Sequence, residues 1–287
     1  SSGRRLMIPY GHHNIEQSDI DAVVAILRSE WLTQGPVVSR FENAVTNKVG
    51  AQYGVAVNSA TSALHIACLA LGVRSGDRVW TSPNTFLASA NCARYCGATV
   101  DFVDIDEQTY NMSITALTAK LEVAEQNGTL PKVVIPVHFA GQSCAMAEIR
   151  SLSRRYGFKI VEDASHAIGG RYLGAPIGGC AYSDVAVFSF HPVKIVTTAE
   201  GGIAVTNDDA LAASMRLLRS HGITRNVAEM THPADGPWYY QQVTLGFNYR
   251  LTDLQAALGT SQMSRMASFV AARAALARRY SASPGET

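Results

Sequence analysis

The apolar run Val55-Ala56-Val57 leads through a polar turn, Asn58-Ser59-Ala60-Thr61-Ser62, into a helical stretch from Ala63 to Leu71, and this theme then recurs. Arg78-Val79-Trp80 passes through Ser82-Pro83-Asn84 into Leu87 to Tyr95. Further strand-like runs cover Thr99 to Val103, Val133 to Val137, Lys159 to Glu162, Val185 to Phe190 and Gly202 to Thr206. Short apolar runs bounded by turn residues suit strands buried on both faces. Their alternation with helices predicts an α/β domain around a mostly parallel sheet, with ligands gathered beyond the carboxyl ends of the strands. Ahead of them, Val23, Val24, Ile26 and Leu27 follow Ser18-Asp19 at helical spacing, which predicts a helix capped near Ser18, and Phe41 to Val49 predicts a second. Arg171 to Gly179 reads as a hairpin, because no G-x-x-x-x-G-K-S/T phosphate loop occurs. Ala271 to Arg279 is helical in pattern, and Ser281 to Thr287 has the small, polar composition of a frayed end.

A chain of 287 residues, 47% hydrophobic and 16% charged, can bury one large core and a smaller second one. A formal charge of +1 without a long Lys/Arg run gives no electrostatic footprint for nucleic acid or an anionic membrane. No stretch approaches the roughly 20 apolar residues of a membrane span, and Ser1 to Tyr10 lacks the apolar centre of a signal peptide, so a cytoplasmic protein is expected. Ser1, Ser2 and Gly3, ahead of the first methionine at Met7, are set aside from fold reasoning. Five scattered cysteines, an odd number, suit reduced thiols better than a disulfide framework. Cys92 and Cys96 lie one helical turn apart. They read as buried small hydrophobes, since no second pair or nearby His joins them, and no metal is expected.

Three segments carry chemistry. Ser189-Phe190-His191-Pro192-Val193-Lys194 ends a strand rich in Val, Ala and Phe. A lysine in so dry a place has a lowered pKa and can condense with a carbonyl cofactor; taken alone, it is as well read as a surface lysine in a loop. Ile160-Val161-Glu162-Asp163-Ala164-Ser165-His166 is an apolar strand ending in two acids. One of them can keep a pyridine nitrogen protonated, and strand pleating lets only one face a ligand. Either acid could instead cap a helix. Asn58 to Ser62 lies between a strand and a helix start, where free N–H groups attract a phosphate, with Thr61 and Ser62 as added hydroxyl donors or as plain caps. Anion cradle, acid and lysine together would hold a phosphorylated pyridine aldehyde at its three handles.

From Ile8-Pro9-Tyr10-Gly11 to at least Ala257 the sequence resembles the DegT/DnrJ/EryC1/StrS family of sugar aminotransferases. Trp31-Leu32-Thr33-Gln34-Gly35-Pro36 is similar to its L-T-x-G-P signature, Glu162 to His166 to its E-D-A-x-Q/H stretch, and Ser189 to Lys194 to its S-F-x-x-x-K motif. Gly246-Phe247-Asn248-Tyr249-Arg250-Leu251-Thr252-Asp253 is similar to G-x-N-x-R-x-x-D/E. The resemblance implies the type I fold of enzymes using pyridoxal 5'-phosphate (PLP), an α/β arrangement with a mostly parallel seven-stranded sheet between helices. It divides the chain into an N-terminal segment (1–14), a large cofactor domain (15–245) and the start of a C-terminal small domain (246–287), whose remaining hundred or so residues are absent.

The resemblance further implies that Lys194 carries the cofactor as a Schiff base, that Asp163 binds the pyridine nitrogen, and that His166 lies near the ring hydroxyl, where many relatives have Gln. Thr61, Ser62 and Ser189 would contact the phosphate, Phe86 would stack on the ring or else fill core under its turn, and Asn248 would reach the phosphate of the neighbouring subunit of a homodimer. His191, His221, Tyr249 and Arg250 are substrate candidates; His12, His13 and His138 read as structural. The implied reaction is transamination of a nucleotide-linked keto-sugar with L-glutamate as donor. Ser189 to Lys194 together with the opening Met7 to Gly11 resembles the family members that aminate C4 of a UDP-2-acetamido-2,6-dideoxy-hexos-4-ulose for pseudaminic acid in surface or flagellar glycans. A sugar dehydratase of the same scaffold would replace Lys194 by His, a nicotinamide enzyme would need a G-x-G-x-x-G that does not occur, and an inactive or subunit-pairing short homologue is the other alternative. Ala60 departs from the Gly usual in the family's N-S-G-T signature, and its methyl is expected to crowd the phosphate cradle.

Overall fold

The computed structural model describes residues 11–282; the opening Ile8-Pro9-Tyr10 and the last five residues of the expected frayed end lie outside them. Helices α1 (Gln17–Leu27) and α2 (Val37–Val49) precede strand β1 (Tyr53–Val57), which feeds α3 (Ala60–Ala70). Then come β2 (Arg78–Thr81), α4 (Ala88–Tyr95), β3 (Thr99–Phe102), α5 (Ile114–Asn127), β4 (Val133–Ile135), α6 (Met146–Tyr156) and β5 (Lys159–Asp163). A small hairpin, β6 (Arg171–Tyr172) and β7 (Ala175–Pro176), is followed by β8 (Val185–Ser189), β9 (Gly202–Thr206) and α7 (Asp209–Arg219). A second two-stranded pair, β10 (Ile223–Thr224) and β11 (Gln241–Gln242), leads to α8 (Asp253–Ser264) and α9 (Met266–Ala282).

Seven strands form one sheet in the order β1-β9-β8-β5-β4-β2-β3, all running in one direction except β9, which is antiparallel to both its neighbours. The mostly parallel seven-stranded sheet is therefore as expected, and its near-continuous apolar strands reflect burial on both faces. Side-chain alternation divides β1 cleanly. Val55 and Val57 enter one core with α3, α4 and α7, while Ala56 enters the opposite core with α2 and α8. A third cluster joins Trp80, Val134 and Ile160 to α5 and α6.

Several boundaries differ from the sequence reading: α3 starts at Ala60 instead of Ala63, β4 stops at Ile135 instead of Val137, and α9 runs from Met266 through Ser281 to Ala282, into the expected frayed end. Three further differences have identifiable reasons. Helix α1 is capped by Glu16, not Ser18, because Glu16 and Asp19 form a reciprocal capping box. Helix α2 starts at Val37, directly after Pro36, whose missing N–H suits a helix start. Strand β5 runs one residue further, to Asp163, because Asp163 pairs with Val187 of β8. Beyond residue 245, α8 packs on α1 and α2 and buries Ala256, Ala257 and Met263 in the second core.

Candidate active site

Six parallel strands point their carboxyl ends at one edge of the sheet, and a cavity of about 470 Å³ opens there. Asp163, at the end of β5 and 5% exposed, faces it. Ser89 Oγ of α4, fully buried, donates to Asp163 Oδ2 at 2.6 Å, and the Ser165 amide donates to Oδ1 at 3.1 Å. Two donors on two oxygens fix the carboxylate's plane. Thr85 Oγ1 lies 2.7 Å from Ser89 Oγ, extending the chain of hydroxyls outward. Glu162 turns to the opposite face of the strand, as pleating requires, where its Oε2 meets His138 Nε2 at 2.7 Å and its Oε1 accepts from Ser183 at 2.5 Å. The Cys144 amide donates to His138 Nδ1 at 3.1 Å, which assigns the ring proton to Nε2, facing Glu162. Of the two acids, Asp163 is the one at the cavity.

The first turn of α3 forms the neighbouring wall. Its N-cap, Ser59, accepts from the Ser62 amide at 3.1 Å, while first-turn amides ahead of it have no intrahelical acceptor and so present positive charge to an anion. Thr61 lines the cavity together with Ser59 and Ala60. Ser62, proposed for the same task, points back instead: its hydroxyl donates to Asn58 Oδ1 at 2.7 Å and it is buried. Ser189, at the end of β8, and Gly201 complete this side. Gly202 lies so close beneath α3 that a methyl on it would overlap the Ala60 backbone nitrogen, so glycine here is what lets β9 and the helix start meet. Ala60 itself packs against the core beside α3 while bordering the cavity.

Lys194 is half-buried at the cavity, its amide bonded to the His191 carbonyl at 2.9 Å. Burial lowers its pKa below that of a free lysine, and the charge of Asp163 opposes the shift. The pKa of His166 is also lowered, by burial and then by the charge of Lys194, with Asp163 opposing. Phe86 stands 73% exposed on the cavity rim, so it is not a core residue under its turn; His191 lines the same space.

Thus Thr61, Phe86, Asp163, His166, Ser189, His191 and Lys194 converge, whereas Asn248, His221, Tyr249 and Arg250 do not line this cavity. Ser220 pairs with exposed Asn248 and bonds Arg250 at 3.4 Å, His221 has a left-handed backbone (φ 59°), and Tyr249 sends its hydroxyl to His65. Sequence reasoning missed Ser89, which reaches the site from 74 residues away, and Glu200. It read His138 as structural only, although His138 also borders the cavity. The sole pointer to Ser89 was its place on the helix following Ser82-Pro83-Asn84.

The chain is 42% identical, over 260 residues, to the UDP-4-amino-4,6-dideoxy-N-acetyl-beta-L-altrosamine transaminase of Campylobacter jejuni, a match covering 91% of this chain and 65% of that protein. It is 40% identical to the spore coat polysaccharide biosynthesis protein SpsC of Bacillus subtilis, covering 96% of this chain and 69% of that one. Among solved structures it is similar to Helicobacter pylori PseC, an aminotransferase involved in the biosynthesis of pseudoaminic acid, with a TM-score of 0.81, 31% identity, and coverage of 90% of this chain and 66% of that chain. The Streptococcus pneumoniae protein Spr1654 in its PLP form superposes with a TM-score of 0.82 at 30% identity, covering 96% of this chain and 70% of that one. The chain spans about two thirds of the length of the curated relatives it matches. With residues 13–284 matching the family's sequence profile, the chain belongs to the DegT/DnrJ/EryC1/StrS aminotransferase family.

Proposed function

We propose that the chain binds PLP at Lys194 and works as a nucleotide-sugar aminotransferase. One observation carries this reading: Lys194, Asp163 and the first turn of α3 open on a single cavity. The donor set suits the three handles of the cofactor. Lys194 would hold the aldehyde, Asp163 with its two hydrogen-bond donors would meet the ring nitrogen, and the first-turn amides of α3 with Thr61 and Ser189 would hold the phosphate. When bound, PLP supplies an electron sink for proton transfer at an amine-bearing carbon.

The chain's own residues then have separable tasks. Asp163, held by Ser89 and Ser165, would keep a proton on the ring nitrogen of the bound cofactor. Lys194 Nζ, with its pKa lowered by burial, can accept a proton nearer neutral pH than an exposed lysine and return it. His166 and His191 border the space left for substrate, and exposed Phe86 offers a flat apolar surface to a ring.

As substrate we propose a nucleotide-linked 4-keto-6-deoxy sugar, UDP-2-acetamido-2,6-dideoxy-hexos-4-ulose, with L-glutamate as donor, in the synthesis of a surface or flagellar glycan. The likeness to the Campylobacter transaminase and to PseC supports that choice. The working form we propose is a homodimer, in which Asn248 serves the other subunit's phosphate site. Borohydride reduction after PLP loading, followed by peptide mass analysis, tests the core of the reading. A cofactor mass on the Lys194 peptide, absent in Lys194→Ala, is expected; fixation on another lysine would overturn it. Amination of the UDP-keto-sugar, followed by mass spectrometry, tests the substrate.

A further inference from the structure

Next to Asp163 lies a buried polar cluster that the tasks assigned above leave idle. Glu162 and His138 are both buried, and so is Ser183. Their contacts leave no polar side-chain atom of the pair unused. His138 Nε2 meets Glu162 Oε2 at 2.7 Å, the Cys144 amide donates to His138 Nδ1 at 3.1 Å, and Ser183 Oγ donates to Glu162 Oε1 at 2.5 Å. The same segment is tied to the backbone of Asp163. The His138 amide donates to the Asp163 carbonyl at 3.1 Å, and the Asp163 amide donates to the Pro136 carbonyl at 2.9 Å.

The sheet is thin at this point. Strand β4 ends at Ile135, Val137 meets Asp163 only through an isolated bridge, and Pro136 has no N–H to give. The chain then turns away, with Ala140 in a left-handed conformation (φ 52°) and the Phe139 amide held by Asn111 Oδ1 at 2.9 Å. We propose that His138 is a positioning residue for Asp163: its ring, locked to Glu162, holds residues 136–138 against the end of β5 and keeps the Asp163 carboxylate aimed into the cavity. The proposal rests on the reading of Asp163 as the partner of the cofactor's ring nitrogen.

Strand geometry explains how a ring bonded to Glu162 can act on Asp163. The two acids are consecutive and point to opposite faces of β5, so fixing both oxygens of Glu162 sets the roll of the strand at its end. Ser89 and Ser165 hold the Asp163 carboxylate on the other face. The strand end is thus gripped from both sides, which suits a binding group that must stay within about 0.5 Å of its working place. Stability alone gives little reason for the pair. Buried polar pairs of this kind generally stabilise a fold no better than apolar side chains of like volume, whereas they do fix orientation.

The test titrates two ligands into the cofactor-free full chain: PLP, and the analogue in which carbon replaces the ring nitrogen. Only PLP can use Asp163, so the ratio of the two affinities reports that contact by itself. The native chain should prefer PLP by roughly tenfold or more, as a hydrogen bond to a charged group would give. His138→Leu, which loses both ring contacts, should bring the ratio below about threefold, and His138→Gln, with an amide that can still donate to Glu162 and accept from Cys144, should restore much of it. A merely structural role would weaken both ligands alike and leave the ratio unchanged. A native preference for PLP that His138→Leu retains to within about twofold would overturn the proposal while leaving the role of Asp163 intact. Equal binding of the two ligands by the native chain would instead overturn the role of Asp163, and the proposal with it. Should His138→Leu fail to fold, Glu162→Gln decides: its amide nitrogen cannot accept from Ser183 while its oxygen accepts from His138, and a ratio equal to the native one would overturn the proposal.

Discussion

Asp163 and Lys194 are two of the ionisable groups that line the cavity, and each makes a prediction. Removing the Ser89 hydroxyl leaves Asp163 Oδ2 without its side-chain donor at a fully buried position. Hydrogen bonds to charged groups contribute about 1.5–3 kcal/mol. Ser89→Ala should therefore weaken PLP binding roughly tenfold or more, measured by titrating cofactor into the cofactor-free protein, and a change under twofold would refute the positioning role. Lys194 works in the opposite sense on stability. Its folded pKa lies below its ordinary 10.5, so below the folded value both states are protonated and the cost of the buried charge is fully present. That cost disappears as pH rises from the folded pKa towards 10.5. In the cofactor-free protein, Lys194→Met should melt higher than the native chain at neutral pH, and the gap should close on the way to pH 10.

At the scale of elements, the close approach of β9 to α3 is the most demanding contact. Gly202→Ala would place a methyl into the Ala60 backbone nitrogen, which neither element can yield without shifting. Overpacking of this kind costs about 1–3 kcal/mol. The variant should melt lower; inorganic phosphate should raise the melting temperature of the native, cofactor-free chain and should not raise that of the variant, and an equal rise in both would show that the cradle lies elsewhere. The strands themselves were readable because a strand buried on both faces must be an apolar run, as Val185 to Ser189 is. The acid and the lysine were readable as strand-end residues, and their family order made the site a unit. What could not be read depends on packing. Whether Ser59 or Ser62 faces a ligand turns on Asn58, which takes the Ser62 hydroxyl. Ser89 reaches Asp163 only because α4 packs over the sheet, and no periodicity within α4 records the acid it meets.

For the whole molecule, the proposed sharing of the site between two subunits is the reading most open to a decisive experiment. Lys194 lines the cavity of its own subunit, whereas Asn248 is exposed and lies outside that cavity. If Asn248 completes the phosphate site of the other subunit, two damaged chains can repair one another. Lys194→Ala cannot fix the cofactor covalently, and Asn248→Ala should hold the phosphate less tightly at both of its sites. In a mixed dimer one site inherits both defects, but the other combines Lys194 from the Asn248→Ala chain with Asn248 from the Lys194→Ala chain and is whole. Exchange of equal amounts should therefore produce native-affinity PLP sites that neither variant has alone, detected as borohydride-fixed cofactor on the Asn248→Ala chain at limiting PLP. Random pairing puts half the dimers in the mixed form, so about a quarter of all sites should recover. Recovery to that level requires the two residues to act across the subunit boundary, while no recovery after verified exchange would place Asn248 and Lys194 in the service of the same chain or of different tasks.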